Sequence, residues 1–254
     1  MMTTPRKHEK GEIAMKMKEV HRLPLGFGPV KVPEVPQMAK VEAIEVAYET
    51  DGDLLSRLHL PEGLELTSNA VRILYHKYNG CSLLAGRGYN SFLIALDGRR
   101  AGEDGLYIPV RLTSDMFTMI DGRYGDYGFP DLYADIPDPV LRSGGYYCYA
   151  TEYEYKVMEL YASGFAPMAG EELDAFRAAR HNTVWLTDEH RADIVTRVDE
   201  AEKGEGSAVF THAEWFDAPA LCGITNFMKT LPVKKTLGAV RWTGAMEIGA
   251  GGEL

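Results

Sequence analysis

The chain is built from short strand-like segments, each closed by a turn signal, and this pattern constrains its fold more than any other feature. "VEAIEVAYET" (41–50) alternates in the manner of a strand. "NAVRILYHKYNG" is β-rich and runs into a turn at Asn79–Gly80, and "YNSFLIALDGRR" carries a hairpin signal at Asp97–Gly98. "GLYIPVRLTSDMFTMIDG" continues the series, with helix potential around 114–120. In "SGGYYCYATEYEYKV", Tyr147, Tyr149, Tyr153 and Tyr155 recur on alternate positions, a strand signature. "TVWLTD", "ADIVTRVDEAEKG" and "SAVFTHAEWF" read as three further strands, and a last strand follows a short helix or turn before Pro232.

Helices are few. "GEELDAFRAARHN" is the clearest, with an acidic first turn and a basic last turn. A shorter one follows Asp51 or Asp53 and stops by Pro61. Residues 23–40 hold four prolines and read as an extended entry segment, neither helix nor central strand. The fold expected is α+β and mostly β: a largely antiparallel sheet, curled or closed, with α excursions. Residues 1–22 are expected to be an extended or frayed arm, and residues 23–254 one domain.

A net charge of −10 over 254 residues leaves no cation excess for a nucleic-acid binder. Three scattered cysteines fit reduced thiols in a cytoplasmic setting better than a disulfide framework. No apolar run is long enough to span a membrane, and no secretory pattern opens the chain. The histidines and cysteines show no metal-ligand spacing, and no phosphate-binding glycine motif occurs, so neither a metal nor a cofactor is expected.

Five motifs in order carry a resemblance: "VAYETDGDLLSRLHLPEGLEL", "NAVRILYHKY", "MIDGRYGDYGFPDLY", "THAEWFDAPAL" and "LPVKKTLGAVRW". This succession resembles the acetoacetate decarboxylase family over roughly residues 24–248. The resemblance implies curved antiparallel sheets forming a cone or barrel around a buried pocket with a few peripheral helices, a small-molecule substrate, lyase chemistry and a homo-oligomer. It also implies a lysine that forms a Schiff base with a β-keto acid, its amine pKa lowered by desolvation and a neighbouring cation. In the family that lysine sits in a loop of the type "Y-P-K-K-x-G-Y-P-K". Matching Gly128–Phe129–Pro130 to the final "G-Y-P" puts Gly125 and Asp126 where the lysine pair would stand. No lysine occurs between Lys77 and Lys156. In place of the family's upstream acidic residue stand Arg87 to Tyr89.

The catalytic candidates are therefore Arg123, Tyr124 and Asp126. Arg123 suits a substrate carboxylate, Tyr124 a carbonyl or enolate oxygen, and Asp126 proton transfer. Arg87, Tyr89, Tyr127, His76 and Lys77 are candidate substrate contacts. Period two requires one of His76 and Lys77 to face inward. Lys77 is the one amine nearby that could replace the missing lysine. Three readings stay open: a lysine-independent lyase acting on an oxo acid or β-dicarbonyl compound, a non-catalytic small-molecule binder, and a decarboxylase with a relocated lysine.

Overall fold

The computed structural model describes residues 16–21, 29–124 and 128–250. By contact it divides after Val35. In the first unit β1 (Met17–His21) pairs antiparallel with β2 (Pro29–Pro33). Proline stands only at the ends of β2, where a missing N–H is tolerated.

The second unit opens with four long antiparallel strands. β3 (Gln37–Glu49) leads through the short helix α1 (Gly52–Leu55) to β4 (Leu64–Cys81), β5 (Arg87–Arg100) and β6 (Glu103–Thr113). Helix α2 (Met116–Tyr124) follows, then β7 (Asp131–Tyr133), which lies parallel to β6. β8 (Val140–Arg142), β9 (Gly145–Glu152) and β10 (Tyr155–Pro167) form a second meander. After helix α3 (Gly170–Ala178) come β11 (His181–Trp185), β12 (Arg191–Phe210), helix α4 (Cys222–Thr230) and β13 (Lys235–Ala250).

The strand order is β11-β6-β5-β4-β3-β13-β12-β10-β9-β8, and β11 also pairs with β12. That second pairing closes β11, β6, β5, β4, β3, β13 and β12 into a seven-stranded ring. β12 is long enough to serve two roles. Its first half pairs with β11 and β13, and its last residues pair with β10.

Period two sorts each ring strand into two cores. Val41, Ala43, Leu74, Tyr78, Leu93, Ile108, Val184, Val198, Trp242 and Met246 come from all seven ring strands and pack together inside. Val71, Ile73, Tyr75, Phe92 and Ile94 face the other way and pack with Cys148, Ala150, Leu160 and Met228 of β9, β10 and α4. The expected mostly-β architecture of curved sheets with few helices is the one observed.

Several local expectations are corrected. The β5–β6 hairpin turns at Ala101–Gly102, both with positive φ (51° and 83°), and not at Asp97–Gly98. Gly98 instead pairs with Gly105, and an Arg99–Asp104 ion pair extends the ladder. Asn79–Gly80 is not a turn: β4 absorbs Gly80 at φ 65° in a bulge and continues to Cys81. Tyr153 lies in the β9–β10 turn with Glu154, and its ring is exposed. Residues 191–210 form one strand where two were expected, and Thr211–Phe216 leave the sheet. Gln37–Lys40 begin a central strand, because the prolines stop just before it.

Candidate active site

β4 directs His76 into the ring, between Ala43 of β3 and Ser91 of β5. His76 is buried, and its Nδ1 lies 2.7 Å from the Tyr78 Oη two residues along the same face. Tyr78 in turn packs against its cross-strand partner Tyr89, ring centroids 4.7 Å apart. On the next strand Arg111, paired in register with Leu93, points into the same interior. Its Nε and Nη2 donate to Asp131 at 2.6 and 2.5 Å, and the Phe129 ring covers the guanidinium at 3.8 Å. The parallel β6–β7 register sets Asp131 opposite Arg111.

A second ion pair lines the same ring. Arg180, just beyond α3, donates to both oxygens of Glu45 at 2.7 and 2.9 Å. The Trp242 indole also donates to Glu45, at 2.7 Å. Arg180 stacks on Phe176, 4.0 Å from the ring centre.

Burial and charge fix the protonation states. Burial pushes His76 down to about 4; Glu45 partly offsets this, while Arg180 and Arg111 add to it, so the imidazole is neutral near pH 7. Burial alone would raise Glu45, but the Arg180 charge and hydrogen bonds, His76 and Trp242 outweigh it and hold the carboxyl below its usual range. Burial pushes Tyr78 up to about 12 and Tyr89 well above its ordinary value, so both keep their protons. Burial opposes the charge on Arg111, but Asp131 overrides it and keeps the guanidinium protonated.

Space accompanies these groups. An inner chamber of about 50 Å³ is lined by His76, Glu45, Arg180, Asn182, Thr196 and Trp242 among apolar side chains. An outer vestibule of about 420 Å³ adjoins it and shares Glu45, Arg180, Leu74, Leu106 and Asn182 as walls. No lysine lines either space among the described residues. His76 Nε2 is buried with no hydrogen-bond partner among the described residues.

Of the residues singled out from the sequence, His76 and Tyr89 are brought together inside the ring. Lys77 is on the opposite face of β4, and its amine is held 2.7 Å from Asp138. Adjacent strand residues face opposite ways, so Lys77 does not share the site of His76. Arg87 is exposed and donates to the Leu84 carbonyl at 3.3 Å, so it too is not brought to the interior. Asp126 and Tyr127 lie outside the described residues, as do the side chains of Arg123 and Tyr124. His212 and Glu214 contact each other at 3.0 Å in an exposed loop.

Glu45, Arg111, Asp131, Arg180 and Trp242 are additions from the structure. For two of them a signal existed in the sequence. Glu45 is a lone charge on the Val41–Ala43–Ala47 face of a strand, and Arg111 interrupts the apolar run "YIPVRL". Lone charges on such faces are rare unless paired. Arg180 reads as an ordinary basic helix end and gave no signal.

The fold and this interior define a closed-ring β protein with a small chamber walled by a neutral imidazole, an indole, a guanidinium and a carboxylate among mostly apolar side chains. The acetoacetate decarboxylase family model matches residues 22–253, and the chain belongs to that family. No curated protein matches. Among solved structures, acetoacetate decarboxylase from Legionella pneumophila is 17% identical, with 89% of this chain and 91% of that chain covered at a TM-score of 0.72. An acetoacetate decarboxylase-like enzyme from Sphingomonas wittichii is 15% identical, with 88% and 94% covered at 0.67. The enduracididine biosynthesis enzyme MppR, in complex with pyruvate, is 15% identical, with 89% and 91% covered at 0.63. At these identities the structural likeness speaks for the fold alone. No helix among the described residues is long and apolar enough to cross a membrane.

Proposed function

We propose that the chain is an acetoacetate decarboxylase-like lyase acting on an oxo acid or β-dicarbonyl compound without a Schiff base. One observation carries this reading: the ring interior presents a neutral imidazole with a nitrogen unpartnered among the described residues, and no described lysine lines it. The absence of any lysine from residue 78 to residue 155 supports it, as does the engagement of the Lys77 amine with Asp138. The pyruvate complex of MppR supports oxo acids as a ligand class for this fold.

Decarboxylation of a β-oxo acid, dehydration or hydration across the α,β-bond, and retro-aldol or retro-Claisen cleavage all pass through an enolate or its equivalent. Without an iminium, fixed donors must hold the developing oxyanion. Tyr78, which keeps its proton, donates to His76 Nδ1 in this reading, so that Nε2 carries a proton and faces the chamber. A neutral imidazole is then an electrophile towards a carbonyl oxygen. Arg123 and Tyr124 supply further donors and Asp126 the proton-transfer group.

A non-catalytic small-molecule binder is the second reading, favoured by the apolar majority of the chamber wall. Borohydride trapping with a panel of β-keto and α-keto acids separates the cases, read by intact-protein mass alongside product analysis. Turnover without an adduct is expected. An adduct on any lysine overturns the lysine-independent reading, and no turnover with any acid favours the binder. Unchanged turnover in an R123Q/D126N variant removes those two residues from the site.

A further inference from the structure

Glu45 and Arg180 stand on the threshold between the two spaces: both line the 50 Å³ chamber and the 420 Å³ vestibule. Their side chains are 10% and 17% exposed, so the pair is largely desolvated yet reachable from the vestibule. Arg180 is held flat by Phe176, and Glu45 is held by the Trp242 indole independently of Arg180. The guanidinium fork is thus occupied by an internal carboxylate on the wall that the vestibule and the chamber share. A planar fork of this kind takes carboxylates in two-point contact, whichever carboxylate offers the better fit.

We propose that Arg180 is the receptor for the substrate's carboxylate and that Glu45 is its resident occupant, exchanged on binding. This rests on the reading of the ring interior as an oxo-acid site, and it names the substrate's shape. The carboxylate sits at Arg180. A small oxygen-bearing group of a few heavy atoms enters the chamber towards His76 Nε2. An apolar body of aromatic size remains in the vestibule against Phe176, Leu106 and Leu237. Exchange leaves one carboxylate in the Arg180 fork, and Glu45 keeps the Trp242 hydrogen bond as its anchor.

The probe is 3-phenylpropanoate, which has the carboxylate and the body but no keto group to turn over, compared with 3-phenylpropanamide. Calorimetric titration of the full chain is expected to show at least a tenfold preference for the carboxylate. E45Q empties the fork and is expected to tighten carboxylate binding at least tenfold, whereas R180Q weakens it at least tenfold and abolishes discrimination against the amide. A second measurement needs no stable variant at this pair. The Trp242 indole N–H resonance of the unaltered protein, assigned with W242F, is expected to shift with the carboxylate and not with the amide. Equal binding of the two probes, no binding of either, or an unmoved Trp242 resonance overturns the proposal. Because neither probe is a substrate, these failures leave the lyase reading standing. A Schiff-base adduct with a keto acid would overturn that reading and leave the Arg180 subsite in place.

Discussion

Tyr78 Oη lies 2.7 Å from His76 Nδ1, both side chains buried on the inner face of β4. In the proposed reading the phenol, which keeps its proton, donates to an imidazole that stays neutral, so that the ring proton is left on Nε2. Y78F removes that donor while leaving the ring in place. We expect kcat on the accepted oxo acid to fall by about 10²-fold with KM little changed, and stability to fall by about 1 kcal/mol. Steady-state kinetics paired with denaturant unfolding checks the split. Equal losses in KM and stability with kcat intact would assign Tyr78 to packing alone.

His76 also makes stability depend on pH. Its folded pKa, about 4, is below its ordinary value of 6.5. Between those values the unfolded chain binds a proton at this residue and the folded chain does not. Stability is therefore full above about pH 6.5, declines as pH falls towards 4, and loses on the order of 3 kcal/mol from this group. Glu45, whose pKa is lowered, adds a loss in the same direction at lower pH as it protonates. H76Q should flatten the upper part of this profile, measured by denaturant unfolding between pH 7 and 4.5. A variant that retains the full slope would place the titration elsewhere.

The Arg111–Asp131 pair joins β6 to β7 inside the protein, with side chains 5% and 0% exposed. Removing one partner strands a buried charge. D131N is expected to cost about 3–5 kcal/mol, and a double replacement by apolar residues, R111M/D131L, to recover most of it. Urea unfolding of the two variants measures this. A double variant no more stable than D131N would mean that the pair has a role beyond mutual neutralisation.

Ring closure also depends on close backbone approach. A Cβ at Gly244 would come within 1.8 Å of the Arg197 carbonyl oxygen across the β12–β13 ladder. Both strands shift register nearby, between Val198 and Glu200 and between Gly244 and Met246. G244A is expected to destabilise by about 1–3 kcal/mol through forced strand separation. The same change at Gly223, where a Cβ meets nothing within 4 Å, serves as the control. Thermal unfolding of the two variants compares them directly.

Local patterning carried much of the fold. Alternation marked β3 and β9, β-rich composition marked β4 and β5, and the acidic-to-basic run of α3 marked that helix, because these signals arise within a few residues of one another. Turn positions were less legible. Asp97–Gly98 and Asn79–Gly80 have turn chemistry, but cross-strand pairing of neighbouring residues drew both into strands. The division of 191–210 into two strands failed for a similar reason. Glycines at 204 and 206 look like breaks, yet Gly206 lies where a Cβ would strike Val46, so the small residues serve close packing within one strand.

The sequence by itself determined the mostly-β class, the order of motifs that marks the family, and the gap in lysines from 78 to 155. It required one of His76 and Lys77 to face inward, since alternation is a property of the strand itself. Which of the two does so was decided by the tertiary structure, because the inner face exists only once β11 joins β6 to β12 and the ring closes. The same closure brings Glu45, His76, Arg111, Arg180 and Trp242 from separate parts of the chain to one interior. Their contacts span up to 197 positions, far beyond the reach of any local pattern, and are fixed only by strand order and register.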